Sequence, residues 1–332
     1  MSVVSDAGSA GEIVVRPQQS TLARLWRGTT SFMRRKPLGA FGAFILIVIF
    51  IVALFSPWFA HDGVHETHTG EELLRPSLTY WFGTDHNGRD IYSRIVYGAQ
   101  VTALVGAGTV ILVGLLSVSI GLLSGYFMGV VDMIIQRVVD VWITFPAIFL
   151  ILTMVAVLGT TGDLGFLGLG RGPDWGPDPR GGPWIWNTFP RTTVVILVLG
   201  VVLAGGAVRV VRSAVLSVKA NPFIEAAHVI GANNGRIILR HVLPNIMPTV
   251  IVLATVQLGV AVLAEAILSF LGVGITGFPT WGQMLSGRTR DLMATNPHLG
   301  LFPGFAIFVA VFGFNMLGDA LRDVLDPRLR GA

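Results

Sequence analysis

Cysteine is absent from this 332-residue chain, and charged residues make up only 13% of it. The lack of cysteine excludes disulfide bonds, catalysis by a thiolate and any metal site built on thiolate ligands. A soluble globular chain carries roughly 25% charged residues. The shortage of charge, together with a mean hydropathy of +0.70, therefore indicates an integral membrane protein.

Lysine is also scarce, since the chain contains only Lys36 and Lys219 and neither follows a glycine. A phosphate-binding loop of the GxxxxGK[ST] type is therefore excluded, and ATP, if it drives this protein, must be hydrolysed by another chain. The isoelectric point of about 9.9 does not indicate nucleic-acid binding, because the basic residues are scattered between apolar runs. We predict no catalytic residue and no bound cofactor or metal in this chain.

Six apolar runs can cross a bilayer, which requires about 20 residues per helix. They lie at about Leu38–Ala60, Val101–Phe127, Val138–Leu158, Thr193–Val211, Thr249–Leu271 and Phe302–Leu317. The first run follows more than 30 residues and precedes no small-x-small cleavage site. We therefore interpret it as a membrane span and not as a signal peptide.

The distribution of basic residues predicts the orientation. With a cytoplasmic N-terminus, 15 of the 23 Lys and Arg residues are cytoplasmic, and 8 lie in the outer segments 61–100, 159–192 and 273–300. Cytoplasmic loops carry the excess of positive charge, so we predict cytoplasmic termini and a cytoplasmic block at 225–248. Ahead of the first run, helical spacing predicts an amphipathic helix on the inner leaflet, with an irregular segment as the alternative. Its apolar residues are Leu22, Leu25, Trp26, Phe32 and Met33, opposite Arg24, Arg27 and Arg34.

One outer segment groups histidines with carboxylates: His61, Asp62, His65, Glu66 and His68. Imidazole and carboxylate groups suit zinc, but the HEXXH pattern is absent because residue 69 is a threonine. We favour a solvated loop over a metal site.

The nearby segment 85–90 is similar in composition to a calcium loop. Its glycine stands two positions early, however, and Arg89 occupies a place where a ligand is needed. We therefore predict a turn at Asn87-Gly88 and a helix N-cap at Asp90.

Two carboxylates fall within the apolar runs, where charge is costly and often functional. Asp140 and Glu265 lie near the ends of their runs, which favours a structural or subunit-contact role over a proton relay. Small residues also recur, because Gly121, Gly125 and Gly129 stand four apart. Glycine lets helices approach closely, so we predict helix packing at these positions.

The block 225–248 is polar and helix-prone, although it lies between two apolar runs. Pro222 favours a helix start, and Gly231 favours a helix end in the left-handed conformation. A second helical stretch is predicted to carry His241 and to end near Pro244. The block would lie across the membrane surface as helix, turn and helix, with a plain connecting loop as the alternative. Its small apolar face is assigned to Ala226, Ala227 and Ile230.

The same block resembles the EAA signature of membrane subunits of prokaryotic binding-protein-dependent ABC importers. The match consists of Glu225-Ala226-Ala227, then Gly231, then Leu243-Pro244. His241 stands where the general signature usually has isoleucine, and histidine there resembles the peptide-importer branch.

Three further blocks resemble the C-type permease of dipeptide and oligopeptide importers, a group that includes nickel and glutathione permeases. They lie at 82–90, 265–272 and 315–328. The loop at 160–191 departs from this group, which usually has a short connection there. Its Trp175, Trp184 and Trp186 are available to contact the binding protein, the second permease or the lipid surface.

The resemblance implies an all-α membrane protein with six transmembrane helices and the type I, MetI-like permease fold. It divides the chain into a tail (1–37), a first helix (38–60), an extracytoplasmic loop (61–100), a core (101–320, with a coupling loop at 213–248) and a tail (321–332). It implies a multi-pass subunit of the prokaryotic inner membrane that imports peptides.

The implied partners are a second, B-type permease subunit, a solute-binding protein, membrane lipids and two cytoplasmic ATPases, which bind ATP and magnesium. The EAA residues Glu225, Ala226, Ala227 and Gly231 would dock on an ATPase, together with His241. Leu243 and Pro244 would set the angle to the fifth span. The alternatives are import of nickel, glutathione or another small solute, and a proton-coupled transporter working alone.

Overall fold

The computed structural model describes residues 33–34, 36–161, 189–275 and 277–325. Within these residues the regular structure is helical, and no strand occurs. The predicted amphipathic helix at 22–34 and the tryptophan-rich loop at 160–191 lie almost entirely outside the described residues. The protein is therefore all-α over the part of the chain in which the apolar runs occur.

The described residues form a series of α-helices and one π-helical turn, separated by segments of very different length. In order, they are α1 (Pro37–Leu54), α2 (Ser56–Phe59), α3 (Ile91–Phe127), α4 (Gly129–Thr144), α5 (Ala147–Thr161), α6 (Phe189–Lys219) and α7 (Pro222–Val229). Next come α8 (Asn234–Ile237), a π-helical turn (Ile238–Val242), α9 (Leu243–Phe270), α10 (Trp281–Met284), α11 (Arg288–Leu292) and α12 (His298–Leu325).

Five of the described helices are long and apolar enough to span a membrane, when α8, the π-helical turn and α9 are taken as one helix. A sixth span results if α4 and α5, which pass the same test only together, count as one. This confirms the prediction of a multi-pass helical protein. The cytoplasmic location of both termini stays a prediction.

The third predicted span is not the continuous helix expected at Val138–Leu158. It is divided between α4 and α5, which meet at an angle of 84°. Phe145 has an extended backbone, with φ −79° and ψ 134°, because the ring of Pro146 disfavours the helical conformation for the residue before it. The expectation was wrong at this point, and the span is broken.

The second span begins ten residues earlier than Val101, at Ile91. Asp90 is extended, and its carboxylate accepts hydrogen bonds from the backbone N–H of Tyr92 and Ser93 at 3.3 and 2.9 Å, so the predicted N-cap is confirmed. With 37 residues, α3 is roughly 55 Å long. This exceeds the roughly 30 Å hydrocarbon core of a bilayer, so α3 is longer than a single crossing requires.

Glycines allow α3 and α6 to pack closely. A Cβ added to Gly121 or Gly125 would lie 2.8 Å from an atom of Val211 or Val215, respectively. Close approach of this kind increases the van der Waals contact that holds membrane helices together. Gly129 differs from the other two, since its added Cβ would meet nothing within 4 Å and its φ of +56° belongs to the turn between α3 and α4.

Candidate coupling site

Helix α7 has one buried and one exposed face. Pro222 occupies its first turn, where a missing N–H costs nothing. Ile224 and Ala227 point inward and are only 2% and 5% exposed, whereas Glu225 and Ala226 are exposed. Glu225 lies in the first turn, where negative charge suits the helix dipole. The helix is therefore held by one side and presents the other.

The end of α7 is a Schellman motif. Gly231 has a φ of +82°, and its N–H donates to the carbonyl of His228 at 2.9 Å. The N–H of Ala232 donates to the carbonyl of Ala227 at 3.0 Å, which completes the pattern. A Cβ at Gly231 would meet no atom within 4 Å, so the requirement for glycine there comes from the backbone.

The apolar face predicted for α7 is divided in the structure. Ala227 faces the core, whereas Ile230 is 83% exposed, as is Val229. Ala226 and Ile230, one turn apart, share the exposed side with Glu225. The exposed surface at the end of α7 is thus more apolar than the sequence indicated, because Val229 was not among the predicted residues.

The second helical stretch does not end near Pro244, as expected, but continues into α9. Pro244 has no N–H and its ring crowds the carbonyl four residues earlier. The chain accommodates it by widening to a π-helical turn at Ile238–Val242, where the N–H of Leu243 donates to the carbonyl of Ile238. Such turns insert a residue without ending a helix. Residues 234–242 and the span that follows them are consequently one helix.

The remaining signature residues lie beside this turn. His241 is half-buried, and its ring is 6.5 Å from that of Phe223 in α7. Asn245 donates its side-chain amide to the carbonyl of His241 at 2.6 Å. Leu243 is half-buried and Pro244 is exposed. His241 therefore connects the π-helical turn to α7.

Tyr126, at the end of α3, contacts both α7 and α8. Its hydroxyl donates to Asn234 Oδ1 at 2.9 Å and lies 3.5 Å from His228 Nε2. Lys219 Nζ donates to the carbonyl of Tyr126 at 2.6 Å and lies over its ring. No sequence pattern indicated these contacts, because they join residues about a hundred positions apart.

An apolar cluster lies beneath the coupling segment. Its buried members come from α3, α6, α7, α8, the π-helical turn and the start of α9, and they include Leu122, Val215, Ile224, Ala227 and Ile246. We use the name coupling end for Tyr126 together with residues 219–246. Helix α7 therefore packs through this cluster against three long helices, α3, α6 and α9.

Ion pairs join α4 to α6 near the coupling end. Arg212 Nε donates to Asp132 Oδ1 at 2.6 Å, and Arg209 pairs with Asp140. Both residues of the second pair are nearly half exposed. Asp140 therefore has a structural partner on a neighbouring helix.

Glu265 is buried near the end of α9, with 2% of its surface exposed. Ser269 Oγ donates to Glu265 Oε1 at 2.6 Å, and Thr280 is a second hydrogen-bonding neighbour. No cation pairs with it among the described residues. These contacts join the helix to the following loop.

Two carboxylates and one histidine of the segment before α3 come together, with ligand atoms of Asp62, Glu66 and His68 within 4.8 Å of one another. His68 Nε2 lies 3.1 Å from Asp62 Oδ2, and Glu66 accepts from the N–H of Gly63 at 2.9 Å. His61 and His65 are not part of this group. Each of its three side chains already has a hydrogen-bonding partner.

Comparison with known proteins gives consistent results. Residues 117–331 match the family described as binding-protein-dependent transport system inner membrane component. Residues 24–76 match the N-terminal TM domain of oligopeptide transport permease C. The chain is 37% identical over 313 residues to a dipeptide transport system permease protein of Alkalihalophilus pseudofirmus, covering 94% of this chain and 93% of the relative. It is 34% identical over 320 residues to a glutathione transport system permease protein of Escherichia coli, covering 96% and 95%.

Proposed function

The chain belongs to the binding-protein-dependent transport system inner membrane components, and we propose from this that it imports peptides and couples to an ATPase through α7. The observation that supports coupling is the division of α7 into two faces. Ala227 is packed into the core, while Ala226 and Ile230 are exposed on the opposite side. A helix held in this way has a free surface for a partner and a rigid connection to the spans.

In this proposal the exposed side of α7 contacts one of two cytoplasmic ATPase subunits, which bind ATP and magnesium. Closure of the ATPases displaces α7, and the contacts of Tyr126, Lys219 and His241 carry the displacement to α3, α6 and α9. A second, B-type permease subunit completes the channel. A solute-binding protein delivers the solute at the other side of the inner membrane. This chain hydrolyses no ATP.

Peptide is the proposed substrate because the relative with the higher identity is named for dipeptides. The relative named for glutathione supports the same class, since glutathione is itself a small peptide. Dipeptides and glutathione both carry a terminal carboxylate, which a binding site along the transport path can recognise. Nickel remains the less supported alternative.

Uptake by reconstituted complexes tests this function. Proteoliposomes that contain both permeases and both ATPases, with the binding protein added, are expected to take up labelled dipeptide only when ATP is supplied. Gly231→Val, which places a β-branched residue at a φ of +82°, is expected to uncouple hydrolysis from uptake or to prevent assembly. Assembly is checked separately by co-purification of the ATPases.

Two results would contradict the proposal. One is normal uptake by a fully assembled Gly231→Val complex, which would show that the end of α7 is not needed for coupling. The other is uptake by the single chain driven by a proton gradient alone, which would make it a solo transporter.

A further inference from the structure

A polar cavity lies at the start of α3, at the end of this helix that is remote from the coupling end. It has a volume of about 240 Å³ and is lined by residues of the segments 85–94 and 283–289 and by Leu299. Its principal charged and polar side chains are Asp85, His86, Arg89, Arg94, Arg288 and Thr289. It includes residues of the 82–90 block, to which the proposed coupling mechanism assigns no task.

Positive charge is in excess around this cavity. Arg94 Nη1 donates to Asp85 Oδ2 at 2.8 Å, and both side chains are nearly buried, at 11% and 9% exposed. Arg89 and Arg288 form no ion pair with any residue in the described part of the chain. One carboxylate therefore faces three guanidinium groups. The Nε atoms of Arg89 and Arg94 are also buried without a hydrogen-bonding partner.

His86 adds no negative charge to the cavity, because an imidazole is either neutral or positive. Burial is the main cause that lowers the pKa of His86. Asp85 raises this pKa, whereas Arg288, Arg94 and Arg89 lower it. Its Nδ1 lies 3.3 Å from Thr289 Oγ1. The same three arginines line the cavity together with this imidazole.

The cavity wall is held in place by the backbone. Asp85 accepts hydrogen bonds from the N–H groups of Asn87 and Arg89 at 2.7 and 3.1 Å. The N–H of Asp85 donates to the carbonyl of Arg89 at 2.9 Å. The predicted turn at Asn87-Gly88 is confirmed here, with Gly88 at a φ of +70°. The backbone of Arg89 and, through the ion pair with Asp85, the guanidinium of Arg94 are thus positioned before any ligand arrives, which reduces the entropy lost on binding.

We propose that this cavity binds a carboxylate. Arginine is suited to this group because its planar fork donates two parallel hydrogen bonds. Ligand pockets usually enclose about 300–1,000 Å³, so this smaller cavity accepts a terminal group and not a whole peptide. The source of the carboxylate rests on the proposed function. It is either the C-terminus of the transported peptide or an acidic side chain of the solute-binding protein.

Binding of small probes to the assembled complex tests the cavity without requiring uptake. Saturation-transfer NMR is suited to weak ligands. It is used to measure the affinities of glycylglycine and of its C-terminal amide for complexes in nanodiscs. The free acid is expected to bind about fivefold tighter than the amide, the scale of a partly exposed ion pair. Arg288→Gln and Arg89→Gln are expected to abolish this preference.

Arg290→Gln is the matched control. Arg290 is exposed on the same short helix as Arg288, but its guanidinium lies over the ring of Phe270, 5.8 Å from the centroid, and does not line the cavity. The control is expected to keep the preference for the free acid. Inorganic phosphate is added as a competitor, and displacement of glycylglycine by phosphate at equal concentration would overturn the assignment to carboxylate.

A second arm distinguishes the two sources. If the carboxylate belongs to the binding protein, Arg288→Gln weakens the affinity of the complex for that protein about fivefold, while the probes show no preference. Unchanged affinity and unchanged probe binding in both cavity variants would overturn the proposal. Probe binding that depends on Arg288 in a complex without ATP-driven uptake would refute the peptide-import function and leave the cavity proposal standing.

Discussion

The two ends of α3 are built on different principles. The coupling end consists of a buried apolar cluster and contacts through Tyr126. The other end, which we call the loop end (residues 61–97 and 272–298), surrounds a cavity with arginines and one carboxylate. Apolar packing is short-ranged and rigid, whereas charge acts over a longer distance and selects by sign. Under the two proposals above, force transmission belongs to the coupling end and recognition of a carboxylate to the loop end.

The largest expected effect is the difference between substitutions at a buried and at an exposed position of α7. Ala227→Asp places an uncompensated charge in the apolar cluster, which costs about 3–5 kcal/mol, and we expect loss of the folded complex. Ala226→Asp changes the neighbouring, exposed position and is expected to leave the melting temperature unchanged while reducing ATP-driven uptake. Size-exclusion chromatography, thermal unfolding and uptake assays check both variants. Equal melting temperatures for the two would contradict the assignment of faces.

A smaller effect is expected from crowding between α3 and α6. Gly125→Ala brings a Cβ to 2.8 Å from Val215 and 3.0 Å from the carbonyl of Arg212, and overpacking of this kind costs about 1–3 kcal/mol. Gly114→Ala lies in the same helix, where an added Cβ meets nothing within 4 Å. It is expected to be neutral or stabilising, because alanine favours helix. A higher melting temperature for Gly125→Ala than for Gly114→Ala would refute the packing account.

Removal of the Tyr126 hydroxyl breaks its hydrogen bonds at the coupling end. Tyr126→Phe leaves the side chain of Asn234 without this donor and is expected to cost about 1 kcal/mol. Tyr97→Phe is the control at the loop end, since the hydroxyl of Tyr97 makes no hydrogen bond with a described residue. We expect Tyr126→Phe to lower the number of solutes imported per ATP hydrolysed, measured by paired uptake and ATPase assays. The same ratio in both variants would remove Tyr126 from the coupling route.

The smallest effect concerns pH at the loop end. Burial and neighbouring arginines lower the pKa of His65 and of His86 from 6.5. The unfolded chain therefore binds protons first as the pH falls, so stability is present above about pH 6.5 and decreases below it. Melting temperatures between pH 7.5 and 5.5 check this, with a His65→Gln, His86→Gln double variant as control. The melting temperature of the double variant is expected to change less with pH. An equal change in both proteins would contradict the assignment of the pH dependence to His65 and His86.

Local signals in the sequence predicted three helix ends. The N-cap at Asp90, the start of α7 at Pro222 and its end at Gly231 depend on neighbouring residues only. They are found where the pattern placed them. The break at Phe145 carried the same kind of signal in Pro146, but the hydropathy of the run concealed it.

Long-range contacts were beyond such signals. The pairing of Tyr126 with Asn234 and the convergence of Arg89, Arg94 and Arg288 on one cavity depend on how distant helices and loops pack. No spacing within the chain encodes them. The π-helical turn before Pro244 is an intermediate case, because a proline in a helix can be accommodated by a kink, an end or a bulge. The surrounding packing decides among these.

Cross-linking tests the central claim, that the exposed end of α7 contacts an ATPase, most directly. The chain contains no cysteine, so a single introduced cysteine takes a photoreactive maleimide at one known position. Ile230→Cys and Leu78→Cys are compared in the assembled complex. Ile230 lies at the coupling end and is 83% exposed, whereas Leu78 lies at the loop end and is 98% exposed. The account predicts that only Ile230→Cys yields an adduct with an ATPase subunit. An ATPase adduct at Leu78, or none at Ile230, would contradict it.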